Sequence, residues 1–516
     1  MNKNPNVIFI YADDLGRGML SCYGQRHYRT PNIDRLAAEG MKFTRSYGCA
    51  FCAPARASLL CGLHDAHAGG WSFTKGGIYK ELDKGTMTLE QIYELIHNTG
   101  TQCRPGDVYL PQIAKKAGYV TGQIGKLEWG FATTGKELEA HGWDYHFGDY
   151  DHQRCHGYYP TFLFENGKKV DIEGNTLMDC GARRSAFENG KLIDMTGRKV
   201  HSQDLYDQKI VEFLHRHKDE PFFLYHPSQL PHGPTFFPEI HPSVANNPEL
   251  TPIEKEHASM ILRLDRTVGL ILDELDRLGL AENTIVMFSS DNGHTIGPKT
   301  YEQPGRVSAR TLLDGRPIDN IETKFHSDTC GDVFNGNDGM AGLKLTSWEG
   351  GVRIPYLIRW PGKIKAGTTF DGLIANYDVL PTMAELLGVD MPAGKDGKSF
   401  APLLTGEEHR FEEHDYIVFA SDMGPAIVSR DGWKLRCVID MQNYKIGPFG
   451  EDLDHLNHAV RYQLYHIKED YREDHNLARQ YPEKVRELRR ILIKECDGNL
   501  MNGTPQAHFA FYGEVF

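Results

Sequence analysis

Residues 48–67 read GCAFCAPARASLLCGLHDAH, with three cysteines and two histidines in twenty positions. Three chemistries compete for Cys52: a zinc centre, a dithiol, or one cysteine made reactive by its downstream neighbours. Cys49-x2-Cys52 suits a zinc finger, but His64 and His67 are separated by two residues where a finger wants about three to five. Gly69 and Gly70 then follow in place of a continuing helix. A dithiol needs Cys49 and Cys52 at the start of a helix in a thioredoxin-like unit, and the preceding MKFTRSYG does not read as the buried strand of such a unit. What remains is Cys52-Ala-Pro-Ala-Arg56, with Pro54 suited to a first helical turn and Arg56 about one turn beyond Cys52. Such a helix sets Cys52 at a positive terminus with a fixed cation beside it.

The elements that must position these residues alternate between short apolar runs and helical patterns. NVIFIYA (6–12) reads as a buried strand, and NIDRLAAEG as a helix entered at Asn32 and stopped by Gly40. LPQIAKKAGY is a helix with Pro111 near its start, leading into the strand YVTGQIG (119–125). PFFLYH (221–226) is a further strand, and the amphipathic run 253–279 delivers the chain to the strand TIVMFSS (284–290). This alternation predicts an α/β fold with a parallel sheet covered by helices on both faces. In open α/β sheets ligands sit beyond the carboxyl ends of strands. Asp13 and Asp14, Lys126, His232 in SQLPHGP, and Asp291 with Asn292 in SSDNG are therefore expected to share one cleft. Three carboxylates and an amide oxygen form an all-oxygen set, which selects a hard cation, Ca²⁺ or Mg²⁺, over zinc, and ligand count leans to Ca²⁺. Asp-Asp alone reads as a turn or cap and Asp-Asn-Gly as a tight turn; their shared place at strand ends favours the metal.

A chain of 516 residues can bury a large core and suits one big domain plus a smaller one. A net charge of −13 argues against nucleic acid or an anionic membrane surface as the main partner, so an anionic ligand must be held by a local cluster. Ten cysteines without regular spacing do not make a disulfide scaffold, and they leave the redox compartment open. The opening MNKNPNVIFIYADD lacks the long apolar stretch of a signal peptide, and no run approaches a membrane span. The chain as given reads as soluble, periplasmic or secreted where a leader has been removed and cytoplasmic otherwise.

PNVIFIYADDLG, TPNIDRLAAEG, CAPARASLLCG, GQIGK, LPHGP, ENTIVMFSSDNG and GLKLTSWEGGVRIP, in this order over about residues 5–390, resemble the sulfatase family of the alkaline-phosphatase-like superfamily. The resemblance implies a large mixed, mostly parallel sheet sandwiched by helices over residues 1–405, and a small α+β subdomain with an antiparallel sheet over 406–516. It also implies that a separate maturation enzyme oxidises Cys52 to formylglycine, an aldehyde. Hydrated to a geminal diol and bound to the cation, that side chain attacks the sulfur of a sulfate monoester. His232 is then the donor of a proton to the leaving alcohol. The sulfated hemiacetal expels sulfate when its remaining hydroxyl loses a proton, a cycle a cysteine thiolate cannot run. Lys126, Lys344 and the cation offset charge on the sulfuryl oxygens, while Arg56 holds the diol in place. Cys52 joins Asp13, Asp14, Asp291 and Asn292 as a metal ligand in this reading.

Where many sulfatases read Gly-Lys-Trp-His-Leu-Gly, this chain reads GKLEWG, placing Glu128 where the family often has a histidine that contacts the formylglycine hydroxyl. A carboxylate facing the site would repel sulfate, so Glu128 is expected to point away or to act as the base for hemiacetal collapse. His152 or His156, in DYDHQRCHGYYP, are the candidates for the missing imidazole. Trp143, Tyr145, Tyr158 and Tyr159 offer faces for sugar rings, and the expected substrate is a sulfated carbohydrate. His294 and Arg353 are further candidate substrate contacts. The rival readings are a phosphonate or phosphate ester hydrolase of the same superfamily, which asks for similar electrostatics, and a glycan-binding pseudoenzyme with Glu128 as the sign of lost catalysis. Beyond residue 405, YIVFASDMGPAIVSRDGWKLRCVID reads as antiparallel strands turning at Asp431-Gly432, followed by the charged helix PEKVRELRRILIKEC. Residues 497–516 carry no pattern, and the oligomeric state is open.

Overall fold

The computed structural model describes residues 4–68, 71, 76–99, 107–178, 185–188, 190–295, 326, 331–440 and 459–504. Its strands are β1 (Asn6–Ala12), β2 (Met41–Tyr47), β3 (Val120–Gly125), β4 (Tyr145–Gly148), β5 (Phe162–Glu165), β6 (Lys168–Asp171), β7 (Phe187–Glu188), β8 (Lys191–Leu192), β9 (Phe222–Pro227) and β10 (Thr284–Ser290). They continue with β11 (Arg353–Arg359), β12 (Thr368–Phe370), β13 (Ile374–Ala375), β14 (Tyr416–Phe419), β15 (Ala426–Ser429), β16 (Trp433–Ile439) and β17 (Val460–His466). The main sheet runs in the order β12-β2-β11-β10-β1-β9-β3-β4-β5-β6, with β13 also on β2.

Every residue of β1 is buried, and its alternate side chains feed two cores: Val7, Phe9 and Tyr11 on one face, Ile8, Ile10 and Ala12 on the other. The helices Cys52–Cys61, Leu110–Lys116 and Val379–Leu387 close the first core. Pro31–Ala38, Ser202–His217 and Pro252–Arg277 close the second. The last of these starts on a capping box, in which the Glu254 amide donates to Thr251 Oγ1 at 3.4 Å and the Thr251 amide to Glu254 Oε2 at 2.8 Å. Such a cap is worth about 1 kcal/mol. All ten residues of the Cys52–Cys61 helix are buried, and its Leu59 and Leu60 each contribute about 1.5–3 kcal/mol by leaving water.

β10, β1, β9, β3 and β4 pair in parallel, whereas β11 pairs antiparallel with both β10 and β2. β1 lies between β10 and β9, with Ala12 level with Ser290 and Tyr11 level with Pro227. The residues that follow β1, β9 and β10 therefore emerge side by side, at the crevice where an open α/β sheet binds its ligands.

Two expectations are corrected. Met41–Tyr47 is strand β2 after all: Met41, Phe43 and Arg45–Tyr47 point inward or pack, and the strand is held between β11 and the short β12 and β13. Cys49 and Cys52 are nevertheless both free thiols. Trp143, Tyr145, Tyr158 and Tyr159 are core rather than sugar platforms, each at most 8% exposed. Trp143 stacks on Phe223 and Tyr225 with ring centroids 5.8 and 5.9 Å apart, filling the layer over β9.

The strands β14, β15, β16 and β17 form a second, antiparallel sheet. One face packs on the helix Pro482–Glu495 through Leu488 and Leu492; the other packs on Tyr47, Ala341 and Trp348 of the main body. Among the described residues, no helix is long and apolar enough to cross a membrane.

Candidate active site

The turn after β1 sets Asp13 and Asp14 against the turn after β10. The Asp14 amide donates to Asp291 Oδ1 at 3.0 Å, the Leu15 amide to Ser290 Oγ at 3.0 Å, and Asn292 Nδ2 to Asp14 Oδ1 at 2.7 Å. Asp14 adopts a positive φ of 60° to make this turn, a conformation short polar side chains tolerate. Gly125 ends β3 with φ 142°, and a Cβ there would meet the Pro227 carbonyl oxygen at 2.3 Å; only glycine lets β3 approach β9 closely enough to deliver Lys126.

Lys126 Nζ, fully buried, donates to Asp13 Oδ2. From the helix that begins at Cys52, Arg56 reaches Asp291 Oδ2 at 3.0 Å and Asp13 Oδ2 at 3.4 Å. Lys344 Nζ lies 2.7 Å from Asp14 Oδ1, 3.1 Å from His232 Nε2 and 3.8 Å from Cys52 Sγ. His152 Nε2 is 3.7 Å from the same sulfur. His232 Nε2 is 3.4 Å from Asp14 Oδ2, and the ring stacks on His156 with centroids 3.9 Å apart. One cluster thus gathers Asp13, Asp14, Cys52, Arg56, Lys126, His152, His156, His232, Asp291, Asn292 and Lys344.

Burial favours a high Asp13 pKa, but Lys126 foremost, then His232 and Arg56, hold it well below the usual carboxylate range. Asp291 goes the other way, pushed up by burial and by the adjacent Asp13 charge. Burial raises the Cys52 thiol against the pull of Lys344 and Lys126, so the sulfur stays protonated and is a weak nucleophile as cysteine. Burial, then the Lys126 charge, keep His152 well below its ordinary value and hence neutral. Asp13 Oδ1 and Asn292 Oδ1 are buried with no hydrogen-bond partner among the described residues, which suits an all-oxygen set completed by a hard divalent cation. Asp13 and Asp291 each bring a carboxylate oxygen within 4.8 Å of Cys52 Sγ.

Three expected contacts lie elsewhere. Both oxygens of Glu128 are engaged, one by His141 Nδ1 and the other by Trp143 Nε1 at 2.6 Å. His294 is buried beside His257, with ring centroids 5.3 Å apart, and its Nε2 is 3.5 Å from Asp332. Arg353 donates to the Thr44 carbonyl at 2.8 Å and lies 3.4 Å from Glu349. Glu349 in turn binds Tyr47 Oη at 2.8 Å and Lys434 Nζ at 2.9 Å, so Arg353 belongs to a buried network joining the two sheets. Two residues hold the cluster in place: Tyr158, which the sequence offered as a sugar platform, and Asn337, which it did not flag. Tyr158 Oη donates to the His232 carbonyl, and Asn337 Nδ2 donates to the carbonyls of His294 at 3.2 Å and Gly342 at 3.0 Å, bracing the loop that carries Lys344. SSDNG held a signal for Ser290, and the aromatic stretch around DYDHQRCHGYYP marked Tyr158 for a different role; nothing near Asn337 marked it.

Comparison with known proteins agrees with this geometry. The sulfatase family model matches residues 5–389, and the model of the N-sulphoglucosamine sulphohydrolase C-terminal region matches 344–497. An N-acetylgalactosamine-6-O-sulfatase of Bacteroides thetaiotaomicron is 30% identical over 95% of this chain and 93% of its own length. Human arylsulfatase A is 30% identical over 78% of this chain and 68% of its own. A solved sulfatase structure, from work on glycosaminoglycan metabolism by Bacteroides thetaiotaomicron, superposes with a TM-score of 0.67 at 26% identity, covering 96% of this chain and all of that one. With three quarters of its length under one family model, the chain belongs to the sulfatase family of sulfuric ester hydrolases.

Proposed function

We propose that this sulfatase releases sulfate from a sulfated saccharide, using Cys52 after its conversion to formylglycine by a separate maturation enzyme. The observation that carries this reading is the place of Cys52: first residue of a buried helix, with Lys344 and His152 at 3.8 and 3.7 Å from its sulfur and two unpartnered buried oxygens nearby. A protonated thiol in that position serves poorly, whereas a hydrated aldehyde offers a hydroxyl nucleophile.

The donor set of Asp13, Asp14, Asp291 and Asn292 suits Ca²⁺. When bound, such an ion acidifies an adjacent hydroxyl and draws charge from the sulfuryl oxygens. Without it, three carboxylates face the three cations Arg56, Lys126 and Lys344; a divalent ion tips that balance positive, as an anionic ester requires. Lys126 and Lys344 take the ester's oxygens, and Arg56 holds Asp13 and Asp291 in place. Neutral His152, next to residue 52, accepts the hydroxyl proton, in the role the family's usual histidine would fill from position 128. His232, kept neutral by burial against the pull of Asp14, takes up a proton as the anionic ester binds and hands it to the departing sugar oxygen.

The relative named for N-acetylgalactosamine-6-O-sulfate makes 6-O-sulfated N-acetylhexosamines the first substrates to test. Position-defined sulfated sugars, an aryl sulfate and an aryl phosphonate are assayed with protein whose Cys52 peptide has been weighed. Sulfate release from one sugar class by converted protein is expected. Faster phosphonate cleavage, or an unconverted thiol in protein that turns over, overturns the reading.

A further inference from the structure

The cleft holds a further imidazole, His156, to which the chemistry above gives no task. Its ring lies face to face with His232, with centroids 3.9 Å and planes 12° apart, and meets His152 edge-on at 5.1 Å. It therefore separates the ring that accepts the hydroxyl proton from the ring that protonates the leaving oxygen. His156 Nε2 is buried with no hydrogen-bond partner among the described residues, so what this side chain offers its neighbours is a face. Burial, then the His232 charge, keep His156 well below its ordinary value, and two like charges do not meet in the stack.

The contact is clamped from both sides. The carbonyl of Cys155, just before His156, accepts Gln229 Nε2, and Tyr158 Oη donates to the His232 carbonyl. Gln229 is fixed in turn, its Oε1 accepting Ser202 Oγ at 2.6 Å. Arg154 anchors the same short turn, reaching Asp149 Oδ2 at 2.7 Å and the Phe162 carbonyl at 2.9 Å. The polar contacts of the His232 ring all lie at its edge. Nδ1 donates to the Gly233 carbonyl, and Nε2 is 3.1 Å from Lys344 Nζ and 3.4 Å from Asp14 Oδ2. Contacts at two nitrogens leave a ring free to tilt about the line joining them; a flat neighbour removes that tilt.

We propose that His156 is a positioning residue for the proton donor, its ring the wall that keeps His232 Nε2 aimed at the leaving oxygen; this rests on His232 being that donor. Matured protein is assayed with the sugar sulfate cleaved fastest in the panel above and with 4-nitrophenyl sulfate, whose leaving group departs with little help from a proton. His232→Ala is the reference, expected to lose at least about 10²-fold in kcat on the sugar ester and far less on the nitrophenyl ester. His156→Ala is expected to share that selectivity, with kcat on the sugar ester down about tenfold or more and KM nearly unchanged. His156→Phe, a flat ring without nitrogen, restores most of the rate; His156→Gln, polar but ringless, does not. Adding His156→Ala to His232→Ala brings no further loss, because the wall has nothing left to hold. If His156→Ala does not fold, the Phe and Gln variants decide. Equal losses on both esters in His232→Ala remove the donor assignment and the inference with it. With that reference intact, a raised KM with normal kcat in His156→Ala, rescue by Gln but not Phe, or additive losses in the double variant overturn the inference alone.

Discussion

Two buried carboxylate clusters, one around Asp13 and one around Glu349, differ in what they leave over. Glu349 is met by Tyr47, Lys434 and Arg353, and Lys434 Nζ also lies 3.0 Å from Glu473, so these charges satisfy one another across the seam between the sheets. The Asp13 cluster is equally buried and as rich in cations, yet Asp13 Oδ1 and Asn292 Oδ1 remain without a partner among the described residues. Burial of charge does not by itself mark a working site. Open valence inside a cluster of charges is the difference here, because an unmatched buried oxygen costs about 1–3 kcal/mol unless something arrives to bind it.

The sharpest break between the clusters is expected from Cys52→Ala. Sulfate release by the matured enzyme should fall at least about 10⁴-fold, equivalent to roughly 5.5 kcal/mol of barrier, while the Tm barely moves. Lys434→Met should do the reverse. Stripping Glu349 and Glu473 of their lysine is expected to lower unfolding free energy by about 3–5 kcal/mol in a denaturant titration, with kcat per folded molecule unchanged. A large kcat loss there would erase the distinction between cement and site. His152→Ala should lower kcat about 10²-fold with little change in KM; normal turnover would remove His152 from the chemistry.

Glu128→Gln carries the smallest effect and sharpens the comparison most, since the sequence left this carboxylate either pointing away from the reaction or serving as its base. The structure pairs it with His141 and Trp143, so the expected loss is about 1–2 kcal/mol of stability, with turnover kept. Burial works to lower the His141 pKa, but the Glu128 charge outweighs it and raises the value above normal. The stabilisation is then fully present below the unfolded histidine value of about 6.5 and lost as pH rises through the raised folded value. Melting curves of the two proteins should differ most below about pH 6.5 and converge in alkali.

Strand-end residues were the legible part of this chain. β1 and β10 were legible because strands buried on both faces are built around continuous apolar runs, here Val7–Ala12 and Ile285–Phe288, with polar residues only at the strand ends. The parallel register then carries Asp13, Asp14, Asp291 and Asn292 into one place. The helix expected from Asn32 starts at Pro31, the position that favours proline. β2 was missed because Lys42, Thr44, Arg45 and Ser46 interrupt its apolar pattern, and its pairing with β11 lies some three hundred residues away. Arg353 and His294 were misplaced for a related reason. A motif fixes where a residue sits on the chain, whereas Thr44, Glu349 and Asp332 decide where its side chain turns. The domain limits expected at 405 and 406 remain a proposal, since contacts between Glu349 and Lys434 make the two sheets one packed body.

The Cys52 side chain is 3% exposed, at the head of a helix whose every residue is sealed inside. No oxidising enzyme can reach that sulfur once the chain has closed. The conversion proposed above therefore has to come before the fold closes, and a chain that folds first is expected to keep its thiol.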